Sequence, residues 1–156
     1  MTSFGMALAF VVLVADQVSK WLAVHTLQQG SLIILPGFVD LVIVHNVGAA
    51  FGLFTNLPSA WRVGILVGVA SLAVVLMLHL IRQATNYWSV TALALVLGGA
   101  VGNLVDRLRF GWVVDFIHLH WHDLSWPVFN VADSAITLGI GLLLWEHFFH
   151  AGDAQS

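Results

Sequence analysis

The sequence predicts an all-helical membrane protein with a small β element, and three observations carry that expectation. The 156-residue chain is 60% apolar, against roughly 45–50% in soluble domains. Only 8% of its residues are charged, where a soluble domain carries about 25%, so a water-exposed surface could not be solvated. Four windows, Phe4–Leu27, Arg62–Ile81, Trp88–Leu108 and Val131–Phe149, each approach the length of about 20 mostly apolar residues that crosses a bilayer as a helix.

The first window has no basic residue ahead of its apolar run, and Asp16 and Lys20 interrupt its later part, so it is expected to be a retained membrane helix rather than a secretory leader. The stretch Gly30–Ala60 holds two β-branched runs separated by Pro36-Gly37. They are too short to span and read as strands of a small sheet on the membrane surface. Arg82–Asn86 forms a short polar turn between the second and third windows. The connection Arg109–Pro127 carries Trp112, Trp121 and Trp126, which suits an interfacial belt. Small-xxx-small spacing at Gly64/Gly68 and at Gly98/Gly102 marks possible close helix contacts. One domain, residues 1–156, is expected.

Composition also excludes function classes. The net charge of −3 offers no basic field for nucleic acid. The absence of cysteine rules out thiolate catalysis and cysteine-based metal sites. No G-x-S-x-G or H-E-x-x-H motif is present.

Polar residues beside apolar segments are costly and are retained for a task. Asp16 and Lys20 lie one turn apart in the favourable acid-before-base order, so they read as a structural ion pair. Asn46, after a strand-like run, precedes the small residues Gly48-Ala49-Ala50, which permit close approach of a ligand. Asn103, Asp106 and Arg107 come within one turn of each other at the end of the third window. Asn130 is placed to cap the fourth helix, with Asp133 at its N3 position. That cap explains both residues without catalysis, but it does not explain Asp115. Asp115 stands among Val113, Val114 and Phe116, a setting that favours a protonated carboxyl, whereas Asp133 sits at the positive end of a helix dipole. Two carboxylates in opposed environments suit acid/base work. A proton relay in a carrier, using Asp106, Asp115 and Asp133, remains open on the residues alone. His118, His120 and His122 would share a face on a strand, as metal ligands could. They are expected instead to belong to a histidine-rich interfacial loop, with no metal.

Taken in order, Asp16-Gln17-x-Ser19-Lys20, Asn46-x-Gly48-Ala49-Ala50-Phe51, Gly98-Gly99-Ala100-x-Gly102-Asn103-x-x-Asp106-Arg107, Val113-Val114-Asp115-Phe116 and Phe129-Asn130-x-Ala132-Asp133-Ser134 resemble the bacterial lipoprotein signal peptidases (signal peptidase II). The resemblance implies four transmembrane helices, a periplasmic β-cradle over residues of about 30–60 and a second periplasmic loop. It implies an aspartyl endopeptidase that cuts diacylglyceryl-modified prolipoproteins before the lipidated cysteine, without a cofactor. Asp115 and Asp133 match its catalytic pair. Asn46, Gly48, Asn103, Arg107 and Asn130 match substrate-binding positions, and Asp16, Lys20 and Asp106 match structural polar ones. It further implies the bacterial cytoplasmic membrane, contact with membrane lipids and inhibition by globomycin-type cyclic peptides. It also implies cytoplasmic termini, whereas the count of Arg82 against Arg62, Arg107 and Arg109 would by itself put the termini outside.

Overall fold

A computed structural model describes residues 1–27, 30–48 and 57–150. Its helices are α1 (Thr2–Thr26), α2 (Ser59–Gln83), α3 (Tyr87–Phe110) and α4 (Val131–His150). Its strands are β1 (Leu32–Leu35), β2 (Val39–Asn46), β3 (Val113–Trp121) and β4 (Leu124–Ser125). All four apolar windows are helices. Of these, α1, α2 and α3 are long and apolar enough to cross a membrane.

The helix ends follow local chemistry. Asn86 caps α3 by accepting a hydrogen bond from the Ser89 amide at 2.8 Å, and Gly111 closes that helix in the left-handed region at φ 80°, which glycine adopts without a Cβ penalty. At the same end of the bundle, the Ser89 hydroxyl donates to both carboxylate oxygens of Glu146 at 2.7 and 2.8 Å, tying α4 to the start of α3.

Helix α3 is the central helix, with Val90, Ala92 and Ala94 fully buried. Ala9, Ile81, Leu93, Ala94 and Leu97 form a core drawn from α1, α2 and α3. Small residues set the spacing. A Cβ on Gly98 would lie 2.6 Å from the Ala9 carbonyl, and one on Gly102 would lie 2.5 Å from Asp16 Oδ2. The pair Gly98/Gly102 therefore marks a helix contact with α1. Gly64 and Gly68 meet nothing within 4 Å among the described residues, so that spacing carries no contact there. Helix α2 buries only Leu66 and Ile81 and exposes Ile65, Val69, Leu72, Val75 and Leu76. A helix apolar all round is at home in lipid.

The sheet is antiparallel, in the order β1-β2-β3-β4. Pro36 and Gly37 (φ 78°) make the β1–β2 turn, closed by the Phe38 amide donating to the Leu35 carbonyl at 3.0 Å, as a type II turn requires. The second long connection departs from the expected belt loop: most of it is β3 and β4. The inner edge of β2 needs partners for its amides and carbonyls, and the β-branched run Val113-Val114 with Ile117 suits a pleated, half-buried strand. Trp121 and Trp126 remain largely exposed, while Trp112 stacks on Phe110 and meets the His45 ring at a tilt.

Candidate active site

Asp115 sits on β3 with 1% of its surface exposed. What brings Asn46 to it is a slip in the β2–β3 ladder. Leu41 pairs with Ile117 and Val44 with Asp115, so three steps along β2 match two along β3. Continued without that slip, the ladder would set Asn46 across from Trp112, on the face of Val114 and away from Asp115. With it, Asn46 Nδ2 donates to Asp115 Oδ2 at 2.9 Å. Such bulges are frequent beside active sites. The opposite oxygen, Asp115 Oδ1, accepts from Asn130 Nδ2 at 2.7 Å. Burial pushes the Asp115 carboxyl up to about 6, with a further push from the charge of Asp133, against the opposing effect of the two amide donors.

Asp133 is placed by the first turn of α4. Its amide donates to Asn130 Oδ1 at 2.9 Å, and its Oδ2 accepts from the Asn130 amide at 3.3 Å. This is the reciprocal capping box anticipated from the sequence. Its Oδ1 accepts from Asn103 Nδ2 at 2.8 Å. Asn130, fully buried, thus caps α4 and touches both carboxylates.

Beneath this pair lies a buried ionic network. The Lys20 ammonium meets Asp16 Oδ2 at 2.8 Å, Asp106 Oδ2 at 2.9 Å and Asn103 Oδ1 at 3.0 Å, which uses all three of its donors. Both carboxylates have further partners. Asp16 Oδ1 accepts from the Ala132 amide at 2.9 Å, and Asp106 Oδ2 also accepts from the Val114 amide at 3.1 Å. The expected Asp16–Lys20 pair is present, and it is one edge of a cluster joining α1, α3, α4 and β3. Gln17 lies between Asp16 and Lys20 and joins the same network. Its Nε2 donates to Asp106 Oδ1 at 2.9 Å and to the Gly102 carbonyl at 3.2 Å. Its neighbours Asp16 and Lys20 were the only signal that could have pointed to it.

Arg107 donates at 3.4 Å to the Asn103 carbonyl on its own helix and at 3.4 Å to the Gly48 carbonyl. Its buried Nε has no partner among the described residues. The Gly48 amide donates in turn to Asn46 Oδ1 at 3.1 Å. Asn46, Gly48, Asn103, Arg107, Asp115 and Asp133 all line one cavity of about 560 Å³, walled on another side by Trp126, Pro127 and Phe129. Ala49 and Ala50, expected beside the same ligand path, lie outside the described residues.

A sequence profile of the family described as Signal peptidase (SPase) II matches residues 8–149. The chain belongs to the signal peptidase II family. Its relatives include the lipoprotein signal peptidase of Syntrophotalea carbinolica, 46% identical over 140 residues, covering 88% of this chain and 86% of that one. The lipoprotein signal peptidase of Symbiobacterium thermophilum is 47% identical over 142 residues, covering 89% and 90%. The fold superposes on a solved bacterial membrane enzyme with a TM-score of 0.84 at 25% identity, covering 99% of this chain and 92% of that one. A second solved bacterial membrane enzyme gives 0.82 at 26% identity, covering 94% of each. The chain is accordingly a multi-pass membrane peptidase, in keeping with its three helices that are long and apolar enough to cross a membrane.

Proposed function

We propose that this peptidase is an aspartyl endopeptidase that removes the signal peptide from diacylglyceryl-modified prolipoproteins, cutting before the lipidated cysteine. The observation that carries the reading is the single buried Asn130 hydrogen-bonded to both Asp115 and Asp133 beside a cavity of about 560 Å³. Two carboxyls that share a site hold one proton between them. The carboxyl of Asp115, raised to about 6, is the one suited to keep it. Asp115 then donates a hydrogen bond to the scissile carbonyl, while Asp133 accepts a proton from the attacking water. Water adds to the carbonyl carbon. The pair returns a proton to the leaving nitrogen as the C–N bond breaks, leaving a carboxyl on the released signal peptide and an amine on the lipidated cysteine. Asn46, Asn103 and Asn130 hold the two acids in place. Arg107, whose buried Nε–H has no partner among the described residues, and the Gly48 backbone receive the substrate peptide.

In this reading all four helices span the bacterial cytoplasmic membrane, with both termini in the cytoplasm and the sheet on the periplasmic side as a β-cradle. The acyl chains of the substrate remain in lipid against the apolar helix faces. A globomycin-type cyclic peptide occupies the same cavity and inhibits. The test is to mix purified protein with a diacylglyceryl prolipoprotein and with the same precursor lacking the lipid. A shortened product whose new N-terminus is the lipidated cysteine is expected only from the first. Cleavage elsewhere, or none, would defeat the assignment.

A further inference from the structure

We propose that Asp40, His118 and His120 form a binding site for a divalent transition cation of the zinc class, bridging β2 and β3 on the extramembrane sheet, apart from the Asp115–Asp133 pair. The residues are distant in sequence, but the ladder makes Asp40 the direct cross-strand partner of His118. His120 follows two residues later, on the same face of the strand. Asp40 Oδ2 lies 2.9 Å from His120 Nε2, and the imidazoles of His118 and His120 stack with centroids 5.0 Å apart. One ligating atom from each of the three side chains falls within 4.8 Å of the other two. In a tetrahedral zinc site with bonds of about 2.0–2.1 Å the ligand atoms stand about 3.4 Å apart. The widest pair therefore closes by little more than about 1 Å, which side-chain rotation supplies. His120 and Asp40 keep 24% and 23% of their side-chain surface exposed, so a hydrated ion can reach them.

The donor set decides the class of ion. Two imidazoles and one carboxylate suit zinc, copper or nickel, whereas magnesium and calcium prefer all-oxygen shells. Three protein ligands leave a fourth position to water. Ser125 of β4, with its hydroxyl 2.8 Å from His118 Nε2, fixes the orientation of that ring, the kind of supporting contact on which metal affinity depends. Along the segment alone, His118, His120 and His122 are the three candidate ligands. The structure replaces His122 with Asp40. His122 lies beyond the end of β3 with φ 51° and is not part of the cluster. A bound ion would pin β2 to β3 three residues beyond Asp115. It would contact neither acid of the pair, so the hydrolytic reading does not depend on it.

The test uses the full-length protein in detergent, free of any histidine tag and stripped with EDTA, titrated with zinc chloride against a chromogenic chelator. Wild type and His122→Ala should each bind one zinc ion at this site and melt at a higher temperature when zinc is present. His118→Ala and His120→Ala should weaken binding by at least about tenfold, since loss of even a supporting contact typically costs 10–100-fold. Asp40→Asn, nearly the same shape, should do the same while melting like wild type in EDTA, which separates lost ligation from lost folding. Failure of the wild type to bind zinc would overturn the proposal. So would binding as tight as wild type by the Asp40, His118 and His120 variants, or loss of binding on replacing His122 instead.

Discussion

Replacing Lys20 with methionine removes the cation that ion-pairs with two buried carboxylates, Asp16 and Asp106. Asp16 is fully buried, Asp106 is 2% exposed and Lys20 is 4% exposed, so water cannot stand in for the ammonium. Both acids keep their other partners, the Ala132 and Val114 amides and Gln17. The cheapest relief is protonation. Bringing an aspartate of ordinary pKa about 3.9 to its neutral form at pH 7 costs about 4 kcal/mol, within the roughly 3–5 kcal/mol measured when buried pairs are broken. Lys20→Met should therefore lose about 4 kcal/mol at pH 7 if one carboxylate neutralises, and more if both do. The penalty should shrink by about 1.4 kcal/mol per pH unit for each carboxylate as the pH falls from 7 toward 5. Asp16→Asn in the same chain should recover part of the loss, and adding Asp106→Asn should recover more, because Lys20 contacts both acids. The assay is equilibrium or thermal unfolding in detergent across pH, with cleavage followed in parallel. A Lys20→Met protein as stable as wild type but inactive would refute the structural assignment and move the lysine into the chemistry.

Asp115→Asn and Asp133→Asn should each fold and lose at least about 100-fold in cleavage rate, the lower end of what positioned acid/base groups contribute; near wild-type turnover would remove that residue from the mechanism. The alkaline limb of the kcat/KM profile should titrate near the Asp115 value of about 6, because rising pH strips the shared proton. Asn46→Leu deletes a donor that favours the ionised form, so it should move that limb to higher pH; an unmoved limb would dissociate Asn46 from the titrating group. Gly102→Ala forces a methyl to 2.5 Å from Asp16 Oδ2 and should destabilise by about 1–3 kcal/mol as an overpacking change, read by thermal unfolding. Cleavage should persist in excess EDTA, since two carboxyls and water suffice for the proposed steps; loss of activity restored by zinc would contradict this.

The sequence by itself determined the membrane class, the four helices to within a few residues and the Asn130–Asp133 cap. Hydropathy, helical period and capping are local properties, readable within one or two turns. The Asp16–Lys20 contact was legible for the same reason, as an i,i+4 pair. What joins distant segments was settled by tertiary structure. The run after Arg109 resembled a belt loop because a strand's partner is not written in its own residues, and β2 supplies that partner. Asn46 reaches Asp115 across 69 positions only because the ladder slips by one residue between Leu41 and Val44, and no local pattern encodes that slip. The same holds for the two partners of Lys20 on α3, Asp106 and Asn103, and for Asp40 beside His120. Antiparallel pairing and helix packing bring such groups within 3 Å, and residue order along the chain does not specify either.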